Sequence, residues 1–246
     1  MKSIGVCIVV NKNDCFIKTS YCIHNLVSKI RNANVNLYIL SNGCNIEMSN
    51  YLAVICSSYS KETENPKKTE NFIYSHEEIN TYLAYNQLML IVNDDYTCLL
   101  PNGLIVNDFW YLGLLNYADK IKNSGIISIQ TGLDKTFYTS TITDNETMEL
   151  IVKPDNEFES LTGAYFISSS TIKVIGGFEK KLDNTGYETE EFCWRYHKNG
   201  FVNYYLPKHN SIPTIINNSN KTNEGRERFA LDMREKIKSR IYKSQF

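Results

Sequence analysis

Residues Leu90 to Leu104 read LIVNDDYTCLLPNGL. The apolar run predicts a strand over Leu88–Val92, buried on both faces and ending in Asn93, Asp94 and Asp95. Adjacent carboxylates repel, and an acid beside a core must be paired, hydrated or bound to a metal. Pro101-Asn102-Gly103 is a turn signal.

Outward from this stretch the chain predicts alternating strands and helices. Ile4–Val10 reads as a buried first strand. Ser20–Asn32 follows as a helix, with Ile23, Leu26, Val27 and Ile30 at i, i+3, i+4 and i+7. Val35–Leu40 reads as a second strand closed by Ser41-Asn42-Gly43, and Tyr51–Cys56 as a third. Ser57–Asn71 is polar and reads as an exposed loop. Helices are predicted over Glu77–Gln87, Asn107–Lys122 and Gly186–Lys198. Strands are predicted over Gly125–Gln130, Gly163–Ser168 and Phe201–Leu206, with a hairpin or flap inside Thr131–Glu159 and a tight turn at Gly176-Gly177-Phe178.

The alternation predicts an α/β fold with a mixed, mainly parallel central sheet flanked by helices. Ligands in open sheets of this kind bind outside the carboxyl ends of the strands. Asn11, Ser41-Asn42-Gly43, Ser57-Ser58 and Asn93-Asp94-Asp95 are therefore expected to line one rim.

The 246 residues can bury one sizeable core, and the expected organisation is a domain over 1–216 followed by an Asn-rich linker and a helix over 217–246. Lys and Arg number 26 against 27 Asp and Glu, a balance that argues against a dedicated nucleic-acid binder. Seven cysteines form no CxxC pair, which fits reduced thiols and a cytoplasmic protein. No apolar run reaches the ~20 residues needed to cross a bilayer.

Phe229, Met233, Ile237 and Ile241 recur every four residues near the end of the chain. Lys221 to Phe246 holds eight Lys or Arg against four acids. This predicts an amphipathic, basic helix that docks on the body or on a second subunit as a homo-oligomer contact. A peripheral membrane contact is the sharper alternative.

Two acidic constellations carry the chemistry. Asp94 and Asp95 could hold a hard divalent cation such as Mn²⁺ or Mg²⁺, or could simply cap a turn. In GYETEEFCWRYHKNGF, Glu188 and Glu191 share a helix face while Glu190 points elsewhere, and Glu191 can pair with Arg195. These acids could supply a general base or sit at the helix N-terminus for electrostatic reasons alone.

The order of these motifs resembles the GT-A nucleotide-sugar glycosyltransferases, in particular the inverting family 2. IGVCIVVNKND resembles the family's first strand, with Asn11 near the nucleotide base. LYILSNG resembles the second strand end, with Ser41 where the family usually has an acid, followed by Asn42. LIVNDDYTCLLPNGL resembles the DxD-type segment. The resemblance implies Asp95 on the metal and Asp94 beside the donor sugar, with Asn93 in place of the first acid. GAYFISSSTIKVIGGFEKKL resembles the strand and turn before the acceptor site, where Gly176 and Gly177 would let backbone approach the substrate.

GYETEEFCWRYHKNGFVNYYLP resembles the family's catalytic segment, but Thr189 stands where many members carry the catalytic Asp. The implied base is then Glu188, with Glu191 next. His209 is the candidate for a further metal or phosphate contact. The resemblance implies a metal-dependent transfer of a sugar from a nucleotide-diphosphate donor to an acceptor hydroxyl of a glycan, lipid-linked glycan, protein or modified nucleobase, with inversion. A nucleotidyltransferase and a catalytically silent sugar-nucleotide-binding module are the alternatives.

Overall fold

The computed structural model describes residues 2–31, 33–61, 71–121, 123–129, 140–143, 149–152, 164–182, 188–206 and 214–215. The chain opens with β1 (Ile4–Asn11), α1 (Phe16–Ile30) and β2 (Val35–Asn42). Every side chain of β1 before Asn11 is buried, as an interior strand of a covered sheet requires. α1 begins four residues earlier than its periodicity predicts, and buries Cys22, Ile23, Leu26 and Ile30.

Two predicted strands are helical. Tyr51–Cys56 lies inside α2 (Ile46–Lys61). Met48, Leu52, Cys56 and Tyr59 are buried, a spacing of four, four and three, while Val54 within the apolar run is 60% exposed. Leu88–Val92 is the end and C-cap of α3 (Thr81–Ile91), after the edge strand β3 (Phe72–Ser75). Its buried face is Ala84, Tyr85, Leu88 and Met89, and Leu90 is 85% exposed. In both segments an apolar run shorter than two turns hides a helical period that only the flanking residues reveal.

The strand next to β1 comes after the acids. It is β4 (Tyr96–Leu99), followed by the two-residue β5 (Leu104–Ile105), α4 (Trp110–Lys120) and β6 (Ser124–Ile129). β7 (Ser140–Thr143) and β8 (Glu149–Val152) pair antiparallel, within the segment read as a hairpin. β9 (Ala164–Ser168), α5 (Ser169–Ile175), α6 (Glu188–Lys198), β10 (Val202–Leu206) and β11 (Thr214–Ile215) follow.

Among the described residues nine strands form one sheet in the order β3-β2-β1-β4-β9-β6-β10-β8-β7, and β11 pairs with β5 beside it. β3, β2, β1 and β4 run parallel, whereas β9 runs antiparallel to both its neighbours, β4 and β6. β10 is parallel to β6, so the sheet is mixed and its larger part has one polarity.

Alternate residues of β1 feed two cores. Ile4, Val6, Ile8 and Val10 pack with α1, α2 and α4, while Cys7 and Val9 pack with α3, α5 and α6. The result is three layers, helices on both faces of the sheet. All seven cysteines are free thiols, six of them buried. No helix among the described residues is long and apolar enough to cross a membrane. The helix expected within 217–246, and with it the division at 216–217, lies outside the described residues.

Candidate active site

The carboxyl ends of β1, β2 and β4 converge on a polar network. Asn42 is fully buried. Its Nδ2 donates to Asn11 Oδ1 (2.8 Å) and to the Ile79 carbonyl (2.7 Å), and its Oδ1 accepts from the Ile79 N–H (2.9 Å). Thr81, the first residue of α3, donates its hydroxyl to Asn11 Oδ1 (3.2 Å). Asp14 Oδ2 accepts from the Asn11 N–H (2.8 Å) and from Asn102 Nδ2 (2.9 Å), and Asn102 Nδ2 also donates to Thr19 Oγ1 (2.8 Å). The loops after β1 and β4 and the first turns of α1 and α3 are thus tied together.

A pocket of about 470 Å³ opens beside this network, on the α3 and α6 face of the sheet. Its polar wall is Asn11, Asp14, Thr81, Asn102 and Thr189. Its apolar wall includes Tyr82, Tyr85, Tyr165 and Phe178, with Tyr82 and Phe178 packed at 4.9 Å between ring centroids. Asp14 is the one charged residue among the described residues that line it. A few polar groups set against aromatic walls are the usual make-up of a small-molecule site.

Of the expected rim residues, Asn11 lines this pocket and Asn42 stands behind it. Ser41 does not face it. It is fully buried and bonds to Ser49 of α2 (2.8 Å), so the reading of Ser41 as a donor contact is corrected.

The structure also corrects the expectation that Asn93, Asp94 and Asp95 share this rim. They precede β4 instead of ending it, and Tyr96 is in register with Ile4 at the start of β1. Asp95 Oδ2 accepts from the Ser3 N–H (2.8 Å), and Asn93 is exposed at the same end. At the rise of a strand residue, the length of β1 separates them from Asn11 by about 25 Å.

Asp94 is 6% exposed and answers the repulsion of the pair by burial with partners. It accepts from Asn36 Nδ2 (2.6 Å) and from the Tyr38 hydroxyl (2.9 Å). Burial first, then the Asp94 charge and hydrogen bond, pushes the Tyr38 phenol up. Gly5 makes room for this cluster, since a Cβ there would stand 2.9 Å from Asp94 Oδ2 and 2.7 Å from Val92 Cγ1.

The two glycines read as a substrate approach serve packing. Asn86 of α3 donates its Nδ2 to the Phe178 carbonyl (2.8 Å) and accepts from the Phe178 N–H (2.7 Å). A Cβ on Gly177 would meet Asn86 Oδ1 at 2.2 Å. Gly176 has φ +90° and caps α5, and Arg195 donates to the carbonyls of Ile175 (2.7 Å) and Gly177 (2.6 Å). This clasp fixes Phe178 against the pocket.

Glu191 completes the clasp. Arg195 Nε donates to its Oε1 (2.6 Å) and Nη2 to its Oε2 (2.8 Å), a bidentate pair. Burial works against the guanidinium charge, and the Glu191 hydrogen bond and charge outweigh it, so the Arg195 pKa is raised. Both carboxylate oxygens of Glu191 are engaged. Glu188, the other expected base, is 3% exposed at the start of α6 and accepts from Asn80 Nδ2 (3.3 Å), the N-cap of α3. Its neighbour Thr189 reaches the pocket.

Asp14, Thr81 and Asn102 were missed as site residues. The turn Pro101-Asn102-Gly103 was legible, but it marks a strand end only once the strand is placed at Tyr96–Leu99. The residues at that end do not fit a divalent cation. Leu100 is fully buried, Pro101 offers no side-chain donor atom, and Asn102 turns its amide hydrogens on Asp14 and Thr19. Among the described residues no three His, Cys, Asp or Glu are placed to hold a metal. His209 lies outside the described residues.

A mixed sheet of this order, with its pocket at the carboxyl ends of β1 and β4, has the GT-A glycosyltransferase fold, and solved structures of such enzymes superimpose on it. A mannosyltransferase from Pyrobaculum calidifontis, in complex with GDP-Man and Mn²⁺, matches with a TM-score of 0.58 at 9% identity, over 85% of this chain and 59% of its own. GalNAc-T7 with UDP, GalNAc and Mn²⁺ matches at 0.64 and 14%, over 84% and 42%. S. aureus TarS matches at 0.60 and 10%, over 87% and 36%. The chain therefore spans less than two thirds of each. No protein-family model and no curated protein sequence matches it.

Proposed function

We propose that the chain is a glycosyltransferase that binds a nucleotide-diphosphate sugar in the pocket at the carboxyl rim and moves the sugar to an acceptor hydroxyl. The observation that carries this reading is the position of the pocket, at the ends of β1 and β4 between the first turns of α3 and α6. The aromatic wall gives a flat ring or a sugar face a surface, and Asn11, Thr81 and Asp14 give its hydroxyls and amides partners.

Glu188 is the acid we assign as general base. It adjoins the pocket through Thr189, and it would take the acceptor proton as the hydroxyl attacks the anomeric carbon. Attack on the face opposite the leaving diphosphate gives inversion. Glu191 holds Arg195, and Arg195 holds the Gly176-Gly177-Phe178 turn that forms the pocket wall.

A panel of nucleotide sugars, each followed by thermal shift and by release of nucleoside diphosphate, tests the proposal. A donor that stabilises wild type and Glu188→Gln alike, and is turned over by wild type alone, supports it. A second reading, a silent sugar-nucleotide-binding module, is favoured by the hydroxyl of Thr189 in place of an acid on the pocket wall. Donor binding with no transfer or hydrolysis, whatever the acceptor or added ion, would establish that module and end the enzyme reading.

A further inference from the structure

We infer that this site holds its nucleotide donor without a divalent cation bridging the diphosphate to the protein. The inference rests on the donor reading above. Mg²⁺ and Mn²⁺ are hard ions that take oxygen ligands, and Mg²⁺ beside a substrate phosphate is anchored by one or two protein carboxylates. Ligands of open sheets bind outside the carboxyl ends of the strands, so the loop after β4 is one place from which such an anchor could reach the pocket.

That loop offers no free carboxylate. Leu100 points into the core, and its carbonyl accepts from the Tyr85 hydroxyl (3.0 Å). Asn102 is held with its NH₂ toward Asp14 and Thr19, and the orientation follows from the partner, because an ionised carboxylate can only accept and so must face the amide NH₂. Its Oδ1 is buried without a partner. Among the described residues Asp14 carries the one negative charge on the lining, and its Oδ2 already accepts two N–H groups. Glu188 is engaged with Asn80, and Asp94 and Asp95 stand at the far rim.

Asn102 thus locks the loop after β4 to α1 where a metal ligand would have to be free. The polar residues that open on the pocket from α3 and α6 are neutral, Thr81 and Thr189, whose hydroxyls donate to Asn11 Oδ1 (3.2 Å) and Glu190 Oε2 (3.0 Å).

The test uses the full chain with UDP-glucose and GDP-mannose as probes, each titrated in excess EDTA and in Mn²⁺, with Mn²⁺ alone followed by electron paramagnetic resonance. A probe affinity that changes by no more than about twofold between EDTA and Mn²⁺, with the free Mn²⁺ signal undiminished by the protein, supports the inference. Asn102→Asp puts a second carboxylate beside Asp14 and is expected to make the chain quench the Mn²⁺ signal. Probe binding at least about tenfold tighter in Mn²⁺ overturns the inference and leaves the donor reading standing. Stoichiometric Mn²⁺ binding by wild type that Asp14→Asn abolishes overturns it as well. If neither probe nor any other sugar nucleotide binds under either condition, the donor reading fails and the inference falls with it.

Discussion

Glu191→Ala separates the two acids that the sequence left as rival bases. Glu191 and Arg195 form a bidentate pair whose side chains are 15% and 21% exposed. Removing the carboxylate leaves the guanidinium with the carbonyls of Ile175 and Gly177 and only the weaker influence of the Glu179 charge. Breaking a buried pair from one side costs about 3–5 kcal/mol, and the residual exposure here places the loss near ~3 kcal/mol. For a domain of this size ~1 kcal/mol moves the melting midpoint by about 2–4 °C, so the variant should melt about 6–12 °C below wild type.

Glu188→Gln keeps the shape of the side chain and an oxygen for Asn80, so it should cost under about 0.5 kcal/mol. Thermal unfolding followed by circular dichroism reads both. Adding Arg195→Met to Glu191→Ala should recover part of the loss, the non-additivity expected of residues in contact. A Glu191→Ala protein that melts within about 2 °C of wild type and yet loses all turnover would refute this division of roles.

Gly177→Ala should destabilise by about 2–4 kcal/mol, because its Cβ displaces Asn86 and both hydrogen bonds to Phe178; urea unfolding checks it, and a midpoint equal to wild type contradicts the clasp. Asp94→Ala should cost about 2–4 kcal/mol by leaving Asn36 and Tyr38 without their acceptor, while donor affinity stays at the wild-type value; weakened donor binding in a folded variant would contradict the placement of Asp94 at the far rim.

Burial pushes the thiols of Cys56 and Cys98 up to about 12, whereas an unfolded thiol ionises near ~8.5. The unfolded chain therefore loses these protons first. Their contribution is complete below pH ~8.5 and declines by about 1.4 kcal/mol per pH unit for each thiol as the pH rises toward 12. Urea midpoints that stay level from pH 8 to about 10.5 would contradict this.

The polarity of the sheet and its first two strands were legible because Ile4–Val10 and Val35–Leu40 are apolar throughout and end in Asn11 and Ser41-Asn42-Gly43. The Gly176-Gly177-Phe178 turn and the acidic helix were legible from a glycine pair and an i, i+4 charge pair. What the pattern concealed was the strand between Asp95 and Leu100. YTCL is four residues long and less apolar than LIV before it, so the helix end looked more like a strand than the strand did.

One misplaced strand moved two carboxylates from one rim of the sheet to the other. A buried acid with two hydrogen-bond donors has the same sequence signature as a metal ligand at a strand end. Only the neighbours across the sheet, Asn36 and Tyr38, distinguish them. Asn102 was hidden by its partners in the same way, since Asp14 and Thr19 lie more than eighty residues earlier.

We place the ligand site at the carboxyl rim, at Asn11, Asp14, Asn102 and Thr189, and away from the acids before β4. Donor titration of three folded proteins, wild type, Asp95→Ala and Thr189→Trp, tests it most directly. The sugar nucleotide should raise the melting midpoint of wild type and Asp95→Ala equally and leave Thr189→Trp, its pocket filled by the indole, unshifted. Stabilisation that persists in Thr189→Trp and disappears in Asp95→Ala would contradict it.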